Sequence, residues 1–306
     1  MSEQSINRKV AVITHSSRGI GKVIAYEFAK AGYAIVINDI DELELEHTAK
    51  DISRVIGDDN NGNRVGYIPG DISEEQIAVS LIDEAIKKFG RSDVLVNNAV
   101  LVVGKPMKAN EITTYTAANT YHKEISPYFT LEEYEIIDTS LKDAYLCIRE
   151  AVKQMLLLNK EGSRKDIYSI INISACRNSI PKTEANAYKF SNSGVEPFTA
   201  SRVGVKALIK TVATQLADNG IRVNAIAPGI IDSGIINNRE LLEEKREEKE
   251  KEIPFRRIGQ AEEIAKIALF LASDSASYVT GSVICADGGL SLPRSNYFLE
   301  SEIGQD

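Results

Sequence analysis

The segment KVAVITHSSRGIGKVIAYEFAKAGYAIVIN, residues 9–38, decides the fold of this chain. It opens and closes with apolar runs rich in Val and Ile, at 9–14 and 33–38, which are typical of buried strands. Between these runs, apolar side chains recur at three- and four-residue steps, as in an amphipathic helix, at Ile20, Val23, Ile24, Phe28 and Ala31. The segment therefore predicts a strand–helix–strand unit with parallel strands.

The same alternation continues along the chain and predicts the fold class. Further apolar strands are expected at 64–68, 93–97, 167–174, 221–227 and 282–286, with helices between them. Seven strands alternating with helices indicate an α/β fold, in which helices cover both faces of a doubly wound parallel sheet. Since no linker rich in Pro, Gly or Ser divides the sequence, residues 1–306 are expected to form one domain.

Four segments interrupt this rhythm. The stretches near 104–129 and 176–196 are too long for plain connections and are expected to be irregular insertions. The charge-dense segment 239–253 predicts a helix, which is either solvated or a lid over a site. The tail at 290–306 carries aromatic residues and is expected to pack on another surface, such as a second subunit.

Composition narrows the classes of function. A net charge of −8 with no basic cluster argues against a nucleic-acid partner. No stretch approaches the ~18 apolar residues of a membrane span, and the first residues do not resemble a signal peptide. Cys147, Cys176 and Cys285 are widely spaced, which favours reduced side chains in a cytoplasmic protein. The three histidines show no metal-ligand spacing, so no metal site is expected.

The loop THSSRGIG, residues 14–21, stands where a doubly wound sheet binds its ligands, beyond the C-terminal end of a strand. Gly19 allows the backbone to approach a pyrophosphate, Gly21 allows the helix to pack on the strand, and the helix N-terminus attracts an anion. His15 occupies the place where a third glycine is expected. A side chain there would crowd the turn, although an imidazole beside a pyrophosphate could assist binding when protonated.

Asp39, at the end of the second strand, bears on the choice of nucleotide. A carboxylate there can accept hydrogen bonds from a ribose diol and would repel a 2′-phosphate, which favours NAD over NADP. Arg18 suits a phosphate and favours the opposite choice. The alternative interpretation of Asp39 is a helix N-cap or turn residue.

Six motifs together resemble the short-chain dehydrogenase/reductase family: THSSRGIG, GDIS (70–73), VNNAV (96–100), INIS (171–174), GIRVNAIAPG (220–229) and FLASDSASYVTGSVICADGG (270–289). The resemblance spans roughly residues 8–290. It implies a Rossmann-type domain, assembly into dimers or tetramers, and NAD(P)-dependent oxidation and reduction of alcohols and carbonyls. The cofactor-binding residues it implies are Thr14, Ser17, Arg18, Gly19, Ile20, Gly21, Asp39, Asp71, Ile72, Asn98, Ala99, Pro228, Gly229 and Ile231.

The catalytic set implied by the resemblance is incomplete. The family uses a tyrosine as general acid/base, a lysine four residues later that lowers the tyrosine pKa, a serine that orients substrate, and an asparagine that relays protons. Where the family shows Asn-Leu-Lys-Gly, this chain has Ser-Leu-Lys-Asp at 140–143. Ala175 replaces the serine, and Val100 replaces the glycine usual after NNA.

Two registers are open for the tyrosine–lysine pair. Counting forward from Ala175 gives Tyr188 without its lysine, whereas counting back from GIRVNAIAPG gives Phe198 and Arg202. The two segments align as a short local duplication. Pro197 suits a first helical turn, so the helix is expected to begin there. The candidate catalytic residues are Tyr188, Arg202 and Ser174.

Because parts that act as a unit are altered together, the first interpretation is a catalytically impaired protein that serves as a nucleotide-binding or subunit scaffold. It would bind NAD weakly, without a strong preference over ADP, as a homodimer or homotetramer or beside a homologous active subunit. The alternative is an active NAD(P)-dependent alcohol/carbonyl oxidoreductase with Tyr188 as a relocated acid/base.

Overall fold

The computed structural model describes residues 8–57, 64–98, 131–160, 168–175, 195–234 and 239–292. In this part of the chain, seven parallel strands form one sheet in the order β3-β2-β1-β4-β5-β6-β9. The strands of this sheet are β1 (Val10–Ile13), β2 (Ala34–Asp39), β3 (Val65–Pro69), β4 (Val94–Asn98), β5 (Tyr168–Ile173), β6 (Ile221–Pro228) and β9 (Val283–Ala286). The doubly wound, Rossmann-type α/β fold predicted from the sequence is confirmed.

Helices cover both faces of this sheet. The described helices are α1 (Gly19–Lys30), α2 (Glu42–Val55), α3 (Glu75–Phe89), α4 (Leu131–Lys160), α5 (Val195–Leu216), α6 (Arg239–Glu252) and α7 (Ala261–Ala272). One buried apolar cluster joins the sheet to α1, α2 and α7, and a second joins its other face to α3, α4 and α5. The five strands between the edge strands β3 and β9 are buried on both sides, which explains their continuous apolar runs.

The strand order reverses between β1 and β4, which pair in parallel through Ala11 and Val94. The chain runs from β1 through β2 to β3 on one side of this point and from β4 outward on the other. A crevice at such a switch point is the usual ligand site of an open α/β sheet. The loop at 14–21 leaves β1 at this position.

Several predicted boundaries differ from the observed ones by a few residues. Helix α5 begins at Val195 rather than Pro197, so the proline lies inside the first turn, where its missing N–H is tolerated. The predicted charged helix at 239–253 is α6. The sequence did not predict β7 (Ile231–Asp232) and β8 (Gly259–Gln260), which pair with each other. The insertion 104–129, most of 176–196 and the tail beyond 292 lie outside the described residues.

The apolar residues of α4 lie in two environments. Ile148 and Met155 are buried in the core beneath the helix, whereas Tyr145 is 53% exposed. Val203 on α5 is also half-exposed. None of the helices in the described part of the chain is long and apolar enough to cross a membrane.

Candidate functional site

Backbone hydrogen bonds to both neighbouring strands shape the loop after β1. The Thr14 N–H donates to the Val96 carbonyl of β4 at 3.1 Å, and the Ser16 N–H donates to the Asn38 carbonyl of β2 at 2.9 Å. The Ser16 hydroxyl donates to the carbonyl of Ile13. The loop therefore has its shape before any ligand arrives, which lowers the entropic cost of binding.

Gly21 lies where the first turn of α1 approaches the loop most closely. A Cβ at this position would stand 2.3 Å from the carbonyl oxygen of His15 and 2.6 Å from Asn98 Nδ2. That amide donates to the same His15 carbonyl at 2.9 Å, and the Asn98 N–H donates to Thr14 Oγ1 at 3.0 Å. Only glycine fits this contact, which brings α1 against the switch point.

The N-terminus of α1 is suited to an anion. Gly19 adopts a φ of +61°, a left-handed conformation that favours glycine. The N-cap residue Arg18 makes no side-chain capping hydrogen bond, and the first turn carries no acidic residue. The first amide groups and the positive end of the helix dipole therefore face the crevice unneutralised by the helix itself.

Asp39 is part of the loop structure rather than a helix cap. Its Oδ2 accepts hydrogen bonds from the Ser17 N–H at 3.1 Å and the Ser17 hydroxyl at 2.7 Å, and its Oδ1 accepts one from the Ile40 N–H. The N-cap of α2 is Asp41, which accepts from the Glu44 N–H. The carboxylate of Asp39 thus stands beside the loop at the end of β2.

Arg18 is paired with a carboxylate of the next helix. Its Nη2 lies 2.8 Å from Asp41 Oδ2, and both side chains are partly exposed. The guanidinium is therefore partly neutralised, and less of its charge is available to a phosphate. Because of this pairing, we expect the preference of Arg18 for NADP to be weaker than the preference of Asp39 for NAD.

Asp71 and Ile72, two further residues of the cofactor-binding set that the resemblance implies, follow β3. Asn38 Nδ2 donates to the carbonyls of Ile68 and Gly70, which fixes the exit of this strand. Asp71 Oδ1 accepts from the Ser73 N–H, and Ile72 is fully buried. Ala99, the neighbour of Asn98, lies outside the described residues.

Pro228, Gly229 and Ile231 lie at the end of β6, on the far side of the switch point. The Gly229 N–H donates to the Ala286 carbonyl of β9 at 3.0 Å, and a Cβ on Gly229 would stand 2.7 Å from Asp287 Cα. Ile231 pairs with Gly259 in the β7–β8 ribbon. These contacts hold the chain close to the C-terminal edge of the sheet.

Two of the three candidate catalytic residues lie in the described part of the chain. Tyr188 lies outside the described residues. The Ser174 N–H donates to the Ile226 carbonyl at 2.7 Å, and its buried hydroxyl has no hydrogen-bond partner among the described residues. Arg202, 2% exposed, donates from Nη1 to the Ile173 carbonyl at 3.5 Å. Burial lowers the pKa of Arg202 to about 10, although the charge of Asp143 opposes this shift.

The structure brings together two residues that the sequence showed only as separate departures from the family pattern. His15 Nε2 lies 3.5 Å from Asp143 Oδ2 of α4, and both side chains are about nine-tenths buried. Burial raises the pKa of Asp143, while the nearby His15 imidazole and Arg202 oppose the rise. The sequence signal was the simultaneous replacement of two glycine positions by side chains of complementary charge.

The direction of the His15 side chain indicates whether it blocks the phosphate site. Its imidazole borders a cavity of about 10 Å³ together with Asp143, Val205 and Asn172, on the α4–α5 side of the sheet. Helix α1 packs on the opposite side of the sheet. The geometry therefore favours a buried imidazole beneath the loop over a plug in the phosphate site.

Comparisons with known proteins identify the family of this chain. Residues 14–291 match the family model described as enoyl-(acyl carrier protein) reductase. Glucose 1-dehydrogenase 2 of Bacillus subtilis (strain 168) is 31% identical over 293 residues, covering 94% of this chain and 97% of the relative. L-rhamnose-1-dehydrogenase of Scheffersomyces stipitis is 33% identical over 286 residues, covering 93% and 96%.

A solved structure provides the link to a ligand. The 3-ketoacyl-(acyl-carrier-protein) reductase from Brucella melitensis, crystallised as a complex with NADH, superimposes with a TM-score of 0.70. It is 25% identical in sequence, and the match covers 93% of this chain and 98% of that one.

Proposed function

Because the chain belongs to the short-chain dehydrogenase/reductase family, we propose that it binds a nicotinamide adenine dinucleotide at the switch point and interconverts an alcohol and a carbonyl. The observation that carries the proposal is the preshaped loop, in which Gly21 lets α1 lie against His15 and Asn98. Dehydrogenases and reductases aligned over nearly the whole chain support the reaction class. They favour the active alternative over the impaired protein expected first from the sequence.

NAD is the proposed dinucleotide, with NADP less favoured. Asp39 presents its carboxylate where the adenosine ribose would lie, and a 2′-phosphate there would meet like charge. Arg18, the cation that could compensate, is paired with Asp41. We expect Thr14, Ser17, Gly19 and Ile20 to surround the pyrophosphate, and Pro228–Ile231 to face the nicotinamide.

The dinucleotide, when bound, supplies the hydride acceptor or donor of this chemistry. The chain must supply the proton: as the alcohol carbon loses its hydride, the hydroxyl proton passes to a side-chain base, and it returns in the reverse direction. We assign this role to Tyr188. Arg202 would provide the positive charge that makes a phenol acidic enough to act near neutral pH. Ser174, which precedes Ala175 in the sequence, would provide a hydroxyl in place of the missing serine.

The second candidate function is nucleotide binding without turnover, in a scaffold or regulatory subunit. It is favoured by one observation, the nearly complete burial of Arg202 against the Ile173 carbonyl. A guanidinium held in this way is less free than a lysine ammonium to reach a ribose or a phenol. Both candidates share the nucleotide site and differ only in chemistry.

An activity assay with a panel of substrates distinguishes the active oxidoreductase from the nucleotide-binding scaffold. Monosaccharides such as glucose and rhamnose with NAD, and 3-oxoacyl thioesters with NADH, sample the substrates named by the relatives. Simple ketones with NADH extend the panel. The proposal expects turnover on at least one class, at about 1 s⁻¹ or faster. Bound nucleotide with no turnover across the panel would favour the scaffold instead.

We also propose a homo-oligomer, formed through the exposed apolar residues of α4 and α5. Tyr145 and Val203 are both about half-exposed on the sheet face covered by α3, α4 and α5. Large apolar side chains at such positions often mark an interface.

A further inference from the structure

The phosphate-binding loop is joined to helix α4 by a buried contact between two titratable side chains. His15 follows β1 and Asp143 lies on α4, and their closest polar atoms are 3.5 Å apart. This contact, the His15–Asp143 pair, replaces two positions where the family pattern has glycine. It therefore adds a connection that the pattern by itself does not contain.

We propose that the His15–Asp143 pair fastens the phosphate-binding loop to α4 and makes nucleotide affinity depend on pH, with tighter binding in mild acid. The inference rests on the proposed function, since it concerns the affinity of the same loop. His15 and Asp143 act as positioning residues because they hold the loop rather than touch the reacting atoms.

The backbone of His15 explains why the loop benefits from such a fastening. Its φ of +46° is a left-handed conformation that is uncommon for residues other than glycine, although histidine, asparagine and aspartate adopt it more readily than most. The carbonyl of the same residue accepts the Asn98 amide above Gly21. Moving His15 would therefore disturb the contact that positions the N-terminus of α1, and attraction through its side chain opposes this movement.

The charges around the imidazole determine the sign of the pH effect. Among the described residues, the other titratable or charged groups near the pair are Cys147 on α4, Arg202 on α5, and Asp71 after β3. Burial raises the pKa of Asp143, so its carboxylate gains from a further positive charge nearby. Histidine is the side chain whose charge normally changes between about pH 5 and 8. Protonation of His15 thus strengthens the pair and fastens the loop.

The packing around the His15–Asp143 pair leaves space for the imidazole to move. His15 Nε2 and Asp143 Oδ1 are buried without a hydrogen-bond partner among the described residues. The cavity of about 10 Å³ beside them allows the imidazole to shift by the few tenths of an ångström that a hydrogen bond requires. A protonated imidazole beneath the loop also adds attraction for the pyrophosphate.

Calorimetric titration with NAD between about pH 6 and pH 8 tests this proposal, because histidine titrates in this interval and the pyrophosphate diester does not. The wild type should bind about threefold to tenfold more tightly at the lower pH, within the limit set by coupling to one proton. His15→Asn, which tolerates the left-handed backbone, should lose this dependence, as should Asp143→Asn. His47→Asn, at an exposed position on α2, is the matched control and should keep it.

The outcomes separate the proposal from the proposed function. Retention of the full pH dependence by both His15→Asn and Asp143→Asn, with NAD still bound, would overturn the pair's role alone. Absence of NAD binding to the wild type at every pH would overturn the proposed function and this inference together. Thermal unfolding of each variant establishes that it is folded, and the two substitutions provide independent tests if one of them fails to fold.

Discussion

The carbonyl oxygen of His15 accepts a hydrogen bond from Asn98 Nδ2 at 2.9 Å, which ties the end of β1 to the end of β4 across the switch point of the sheet. Helix α1 begins directly against this bond, and only the missing Cβ of Gly21 makes the approach possible. The position of the N-terminus of α1 therefore depends on one backbone carbonyl in the loop after β1 and one side chain at the end of β4.

Asp41→Asn is expected to raise the affinity for NADP. The substitution keeps an N-cap for α2, since asparagine caps as well as aspartate, but it removes the carboxylate that pairs with Arg18. The released guanidinium can then contact a 2′-phosphate, and we expect about a three- to tenfold gain for NADP with little change for NAD. Glu42→Gln removes the same charge from the first turn of α2 and is the control. Equal effects of both variants would mean that only net charge matters.

Tyr188→Phe is expected to reduce turnover by about 10²- to 10⁴-fold, because it removes the proposed general acid/base. Nucleotide affinity should change little. Steady-state kinetics on the best substrate of the panel measures the effect, and Tyr67→Phe on β3, far along the chain from the proposed site, is the control. Undiminished kcat in Tyr188→Phe would remove Tyr188 as the proton donor.

Glu263 should contribute stability that disappears only in strong acid. Arg257 holds it through two contacts of 2.7 and 2.8 Å, the Gln260 N–H donates to it, and together they lower its pKa to about 2. Because the folded pKa lies below the ordinary value, this stability is present above about pH 4 and is lost as the pH falls towards 2.

Thermal unfolding of Glu263→Gln checks this linkage. Near neutral pH the variant should lose about 1 kcal/mol, typical of a helix N-terminal contact, and the difference from wild type should shrink in acid. Glu262→Gln, an exposed neighbour in the same first turn of α7, should show no comparable change. A constant deficit of Glu263→Gln at every pH would contradict the assigned cause.

Light scattering should give a mass of at least about 67 kDa, twice the 33.6 kDa of the chain. Tyr145→Asp places a charge in the proposed interface on α4 and should shift the protein towards the monomer. Leu43→Asp, which is 73% exposed on α2 on the opposite side of the sheet, should leave the mass unchanged. A monomeric wild type at micromolar concentration would reject the interface.

The sequence was sufficient for the sheet because its five central strands, β2, β1, β4, β5 and β6, are buried on both faces. Runs such as 9–14 and 33–38 are therefore apolar throughout, and the helices between them keep a clear 3.6-residue period. The two-residue strands β7 and β8 are too short to show any period. Pro197 predicted the start of α5 to within two residues, since the first turn of a helix tolerates proline at more than one position.

The site was predictable only where one short segment carries it. Gly19, Gly21 and Asp39 lie within the first strand–helix–strand unit, and the loop geometry there follows from local spacing. The contact of His15 with Asp143 joins residues far apart in sequence. Each of these residues alone indicates only that a glycine of the family pattern was replaced. In the sequence, Arg202 likewise indicated only that the expected lysine was replaced. In the structure, its guanidinium is buried beside the same pair. Long-range electrostatic complementarity of this kind has no local period.

Calorimetric titration of the wild type and of Gly21→Ala with NAD tests the central claim most directly. The wild type should bind one NAD per chain, whereas Gly21→Ala should lose at least about tenfold in affinity, because overpacking against the His15 carbonyl displaces the start of α1. Gly204→Ala, whose added Cβ would make only ordinary contacts with Leu141, should bind like the wild type. The account predicts this pattern; no NAD binding by the wild type, or equal binding by a folded Gly21→Ala, would contradict it.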